Sequence, residues 1–210
     1  MRKHLLLSLA VLFLAPLTFA GPISVNMTFL NTGGNSSGGV ATYPYYFSIN
    51  GGPTVSLMCD SFTNHITQNE SWTANVTSLL SGQGLFGNQL LDYKAAGLIF
   101  LGVLNGSIDP NTGNWAVWNL FNPGITTNSA VLNLDTSTLW LAEHSPSSAF
   151  NGLILYTPLG GAPGYGPQEF IGYNPGTVVT PEPTSLMFLS TGLLGIAAAV
   201  RRKVAVSRLS

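Results

Sequence analysis

Ile23-Ser24-Val25-Asn26-Met27-Thr28-Phe29 alternates apolar and polar residues without a break. Successive side chains of a strand point to opposite faces, so this period of two predicts a strand with one buried face. The chain that follows extends the reading. Residues 33–39 form a Gly/Asn/Ser loop and residues 43–49 an aromatic-rich run. Asn50-Gly51-Gly52-Pro53 is turn chemistry, so 43–49 and the returning apolar segment 55–59 are predicted to pair as a hairpin. Residues 72–76 alternate again.

Further along, the period changes. Between 88 and 104, Leu91, Ala95, Leu98, Ile99, Leu101 and Gly102 fall at helical spacings, with Asp92 and Lys94 outside the stripe. Asn105-Gly106 ends that helix. Asp109-Pro110-Asn111-Thr112-Gly113 reads as a type I turn, with Asp first and Pro second. Residues 114–121 then predict a second short helix, stopped by Pro123. Residues 136–144 predict a third helix, N-capped by Asp135 or Ser137. Residues 153–156 and 169–173 read as closing strands on either side of a loop at 158–167. Strands flanking inserted helices define an α+β domain, and no internal repeat points to a solenoid or propeller.

Charge is scarce: 7% of the 210 residues are Asp, Glu, Lys or Arg, against about 25% in an ordinary soluble domain. No basic stripe exists to neutralise phosphates, which excludes a nucleic-acid partner. Hydrophobic residues at 45% are ample for a buried core, which excludes charge-driven disorder. Six of the seven bases, Arg2, Lys3, Arg201, Arg202, Lys203 and Arg208, lie at the two ends, and only Lys94 lies between them. All eight acids lie between residues 21 and 200, so that stretch carries one base against eight acids. Asymmetry of this kind follows from membrane topology.

The two ends bear this out as sequence patterns. Met1-Arg2-Lys3-His4 precedes an apolar run at 5–15, and Thr18 and Ala20 are small residues at the end of the segment. This is the pattern of a secretory signal, cut by signal peptidase after Ala20. At the other end, Thr180-Pro181-Glu182-Pro183 precedes the uncharged segment 184–200, and Arg201-Arg202-Lys203 follows it. A helix over 184–200 spans about 25 Å, and the flanking arginines can snorkel to complete a membrane crossing. The basic stop cluster keeps the tail cytoplasmic and leaves the body outside.

These ordered parts, with Gly192-Leu193-Leu194-Gly195 inside the apolar run, resemble the PEP-CTERM sorting signal of Gram-negative bacteria. The resemblance covers only the C-terminal tail. It implies processing near Pro181-Glu182-Pro183 by exosortase, an integral-membrane cysteine transpeptidase. It also implies inner-membrane anchoring until then, followed by release to the cell surface or a biofilm matrix that contains exopolysaccharide. Thr180 stands where the family often has Val, and residues 204–210 trail the arginines. A glycosylphosphatidylinositol signal shares the apolar tail but ends apolar, unlike this one. The sequons at Asn26, Asn35, Asn69, Asn75 and Asn105 are chance triplets in a chain rich in Asn, Ser and Thr. The expected organisation is a signal peptide at 1–20 and a single β-rich extracytoplasmic α+β domain at 21–176. A linker with the Pro-Glu-Pro motif at 177–183, a transmembrane helix at 184–200 and a basic cytoplasmic tail at 201–210 complete it.

Within the body, Cys59 is the only cysteine, so no intramolecular disulfide forms. A lone thiol of this kind commonly packs as a small buried hydrophobe. Leu57-Met58-Cys59-Asp60 and Asn114-Trp115-Ala116-Val117-Trp118 resemble the two halves of surface-adhesin thioester domains, where a Cys and a distant Gln join as an internal thioester. Asn114 stands at the position of that Gln, which makes Cys59 and Asn114 the candidate reactive pair. His65 lies near enough in sequence to suggest a Cys59 dyad, though such separation says nothing of proximity. Gly34-Asn35-Ser36-Ser37-Gly38 matches a nucleophile-elbow pattern but has no helix after it.

His65 and His144 are isolated, and Asp109, Asn111 and Gly113 lack the further acids of a calcium loop, so neither metal nor cofactor is expected. Tyr43, Tyr45, Tyr46, Trp72, Trp115, Trp118 and Trp140 supply either a core or a carbohydrate-stacking surface. The reading that results is an exported, non-enzymatic surface or matrix protein sorted by exosortase. Its alternatives are an exopolysaccharide-binding module and a Cys59-dependent adhesin.

Overall fold

The computed structural model describes residues 23–174. The signal peptide 1–20 with its cleavage residue Ala20, the linker 177–183, the segment 184–200 and the tail 201–210 lie outside the described residues. Among those described, no helix is long and apolar enough to cross a membrane.

Eight strands alternate with one block of helices. The strands are β1 (Ile23–Thr32), β2 (Ser36–Ser37), β3 (Val40–Ala41), β4 (Tyr45–Ile49), β5 (Thr54–Cys59), β6 (Ser71–Ser78), β7 (Leu153–Pro158) and β8 (Phe170–Tyr173). Helices α1 (Leu90–Leu104), α2 (Pro110–Phe121) and α3 (Ser129–His144) all lie between β6 and β7. The expected α+β class therefore holds as a mixture of helix and strand, with the helices inserted as the spacing predicts. Sequence reasoning did not anticipate how the sheet ends. Six strands close into an antiparallel barrel in the order β1-β4-β5-β8-β7-β6, and β2 and β3 pair separately.

The alternation in β1 does what its period requires. Val25, Met27 and Phe29 are buried in the barrel, while Ser24 and Asn26 face out. Inside, Phe47 packs on Phe170 at 4.5 Å, on Phe29 at 5.3 Å and on Trp72 at 5.8 Å. Trp118, from α2, is buried in the same cluster.

The strands that face the helices are buried on both sides. In β5, Leu57 and Cys59 belong to the barrel interior and Met58 to the layer beneath the helices; in β8, Phe170 and Ile171 divide the same way. That explains why Leu57-Met58-Cys59 and Leu153-Ile154-Leu155 read as unbroken apolar runs. Helix α1 is central to the helical layer, with Tyr93, Ala95, Ala96, Gly97, Ile99 and Phe100 all buried. A Cβ on Gly97 would lie 2.8 Å from Leu153 Cδ1, so glycine lets α1 approach β7 closely.

Several boundaries differ from the sequence expectation, three of them near the residues singled out above. The aromatic strand begins at Tyr45, two residues later than expected. Helix α2 begins at Pro110, because Asp109 is its N-cap and accepts the Thr112 N–H at 2.9 Å. Proline at the first helical position is favoured there, since its missing N–H has no partner to lose. Helix α3 begins at Ser129 with Asn128 as its cap, accepting the Ala130 N–H at 2.9 Å. Asp135 and Ser137, the expected caps, sit within that helix. Asp135 is buried and accepts a bond from Asn119, and Ser137 donates back to the Leu134 carbonyl.

Candidate functional site

Cys59 ends β5 and is fully buried among barrel side chains. Its sulfur lies 3.6 Å from the Ser61 carbonyl oxygen, and burial above all pushes the thiol up to about 12. Asn114, in the second turn of α2, is also fully buried. Its Nδ2 donates to the Cys59 carbonyl at 2.9 Å, and its Oδ1 accepts the Tyr43 N–H at 2.8 Å. The two residues singled out in the sequence thus meet, but the hydrogen bond runs to the backbone of Cys59. Both ends of the Asn114 amide are occupied in tying α2 to β5 and to the segment before β4. A thiol held protonated and out of water is a packing group, because the thiolate is the nucleophile.

The other candidates separate in space. His65 is exposed while Cys59 is buried, so the two form no dyad. Residues 34–38 enclose β2 and lead into the small β2–β3 hairpin, with no helix to raise a nucleophile. Asp109 is engaged as a helix cap, and Asn111 Oδ1 accepts the Thr42 hydroxyl at 2.5 Å. Among the described residues no three His, Cys, Asp or Glu side chains gather around one point.

The seven aromatics do not share a surface. Tyr45 and Trp118 are core residues, Trp72 packs on Phe47, Trp115 on Phe62 and Trp118, and Tyr43 on Phe100. Tyr46 is half-buried. Trp140 alone of the set is well exposed, at 60%, and it stacks on His144 at 4.5 Å. A shallow cleft of about 210 Å³ does exist elsewhere, lined by uncharged residues: Ser37, Asn111, Thr112, Trp115, Thr126 and Asn128.

A polar cluster that sequence reasoning missed lies between the barrel and the helices. The β5–β8 register pairs Met58 with Ile171 and Cys59 with Phe170, and one step further the Asp60 N–H donates to the Glu169 carbonyl at 3.3 Å. Asp60 and Glu169 are both fully buried. Alternation places their side chains with Met58 and Ile171, toward the helical layer. Tyr93 of α1 donates its hydroxyl to Glu169 Oε1 at 2.6 Å. The Leu85 N–H donates to Glu169 Oε2 at 2.7 Å, and the Thr157 hydroxyl of β7 donates to the same oxygen. Burial first, and Glu169 second, hold the Asp60 carboxyl well above the usual carboxylate range. The signal was present in the sequence: an acid stands directly at the end of each of two apolar strands, in Met58-Cys59-Asp60 and Glu169-Phe170-Ile171.

The barrel and its seam account for residues 23–174, and the C-terminal stretch is that of a sorted protein. Residues 179–203 match the PEP-CTERM protein-sorting motif, a span that takes in Pro181, Glu182, Pro183, Arg201, Arg202 and Lys203. Such a motif marks an exported protein whose C-terminus is anchored in the membrane until exosortase, its processing partner, acts on it. No curated protein and no solved structure matches the chain.

Proposed function

We propose that this is an exported, non-enzymatic protein of the cell surface or biofilm matrix, with the barrel as its displayed body. The observation that carries the reading is the sorting-motif match at 179–203. The non-enzymatic part draws support from the interior: the thiol of Cys59 and the carboxyls of Asp60 and Glu169 are all sealed from solvent. Signal peptidase cuts after Ala20, so the exported chain begins at Gly21. Exosortase then processes the tail near Pro181-Glu182-Pro183. Replacing Pro181 and Pro183 together by alanine leaves the tail uncleaved and the protein in the inner membrane. Normal release of that variant into the surface or matrix fraction would overturn the sorting role.

The cleft at Trp115 favours a second reading, the binding of a neutral exopolysaccharide. An indole ring set among hydroxyl and amide groups, with no charge, suits the alternating apolar and hydroxylated faces of a sugar. A Ser37→Trp variant fills that cleft from the exposed hairpin. Retention of polysaccharide by the wild type and its loss in this variant, at equal thermal stability, supports binding there. Equal retention by both, or by neither, rejects it.

A further inference from the structure

The seam between barrel and helices holds two acids in an otherwise apolar layer. Like charges directly opposite each other on a sheet repel, and an ionised carboxylate without partners is costly to bury. The hydrogen-bond donors are divided unequally between the two. Glu169 accepts from the Tyr93 hydroxyl, the Leu85 N–H and the Thr157 hydroxyl. Among the described residues, neither carboxyl oxygen of Asp60 accepts a hydrogen bond, and the β5–β8 register sets the Glu169 side chain directly across from it. Two carboxylates form no hydrogen bond with each other, whereas a carboxylic acid and a carboxylate form a strong one. Three donors stabilise Glu169 as the charged partner, which leaves Asp60 as the one that carries the proton.

We infer that Asp60 and Glu169 share a single proton, donated by Asp60, and that this proton latches the loop at 83–88 and helix α1 onto the barrel. One backbone donor of the loop meets the pair directly and a second meets it through Tyr93. The Leu85 N–H bonds Glu169, and the Phe86 N–H bonds the Tyr93 hydroxyl at 3.0 Å. Gly84 seats the loop so tightly on Tyr93 that a Cβ there would collide with the phenol ring. The loop is therefore held by the pair and by the side chain that the pair orients.

Among the described residues, nothing cationic faces the pair to take up a second charge. From α1 the facing group is Tyr93, and from β5 the neighbouring titratable group is Cys59, whose side chain lies in the barrel interior. Strand β7 contributes the Thr157 hydroxyl, and the loop contributes backbone N–H groups. Lys94, next to Tyr93, extends instead over the Phe150 ring at 5.5 Å. When Asp60 ionises, the two carboxylates can gain solvation only by admitting water, and the loop is the segment whose anchors pass through them. The latch is closed while Asp60 is protonated and opens as pH rises through its folded titration.

Infrared spectra and amide exchange on the full chain in detergent test this. At about pH 7.5, where Asp135 has already ionised, the wild type should retain one protonated-carboxyl C=O band that Asp60→Asn abolishes. Exchange protection of the Leu85 and Phe86 amides, corrected for intrinsic rates, should fall by up to tenfold per pH unit between the ordinary Asp range and the raised Asp60 titration, and level off above it. In Asp60→Asn, whose amide donates to Glu169 without titrating, that protection should stay level. Absence of the band in the wild type overturns the inference, and so does an unchanged pH response in Asp60→Asn. Loss of protection on adding a chelator also overturns it, since a cation would then hold the two acids together. Should Asp60→Asn fail to fold, the wild-type band and the chelator result decide alone.

Discussion

Replacing Trp118 with alanine removes the side chain that joins the helical layer to the barrel interior. It is 1% exposed and packs on Phe62 at 5.2 Å and Trp115 at 5.5 Å. Truncating a buried aromatic to alanine costs about 3–5 kcal/mol, and the cost is least where neighbours can collapse into the gap. Here the strands around it are fixed by a closed ladder, so about 4 kcal/mol or more is expected. The described body is roughly 150 residues, for which the unfolding entropy is about 0.3 kcal/mol/K, so Tm should fall by about 12 °C. Trp140→Ala is the control. That ring is 60% exposed, and its removal should cost about 0.5 kcal/mol, or under about 2 °C. Thermal unfolding followed by near-ultraviolet circular dichroism reads both variants. A fall below about 4 °C for Trp118→Ala, or an equal fall for Trp140→Ala, would refute the division of these aromatics into core and surface.

Other expectations follow from the same geometry. Asn114→Ala leaves the Cys59 carbonyl and the Tyr43 N–H unpaired inside the protein, which should lower stability by about 2–4 kcal/mol in urea unfolding. No change in the midpoint would mean that the clamp is not formed. Cys59 should alkylate only at the rate of unfolding, and the intact mass should match the sequence. A mass short by one ammonia would instead reveal a bond to Asn114. Asp135 is raised to about 6 chiefly by burial, so the fold favours its neutral form. That contribution is complete below about pH 4 and lost as pH rises through about 6, and Asp135→Asn should flatten the decline in urea midpoint over this range.

Local chemistry was legible where one turn or one period carried it. The β1 alternation, the Asn50-Gly51 turn and the Asn105-Gly106 stop all read correctly, because each depends only on neighbours in sequence. Asp109-Pro110 failed for a physical reason: a type I turn and the first turn of an α-helix use the same residues in similar backbone conformations. Only the continuation through residues 113–121 tells them apart. The start of α3 was hidden because Thr126, Thr127 and Asn128 look like any other polar loop in a chain rich in Ser, Thr and Asn. Asp60 and Glu169 are separated by more than a hundred residues and meet through the β5–β8 register, which no local pattern encodes. The same register sets barrel closure, so the fold's most consequential feature was the least readable.

That closure has an order in time. Strands β6, β1, β4 and β5 are contiguous in the barrel and all precede residue 79. A chain emerging from its N-terminus first can assemble these four as an open sheet, with two raw edges and an apolar face turned toward water. Only β7 and β8, at residues 153–173, can bridge the edges of β5 and β6, and the sorting motif begins at residue 179. The last hairpin to emerge is therefore the gate that seals the sheet, moments before the tail reaches the membrane. Until then the half-built barrel is exposed to sticking to itself and to its neighbours, so export of this chain should lean on holding factors outside the cytoplasm.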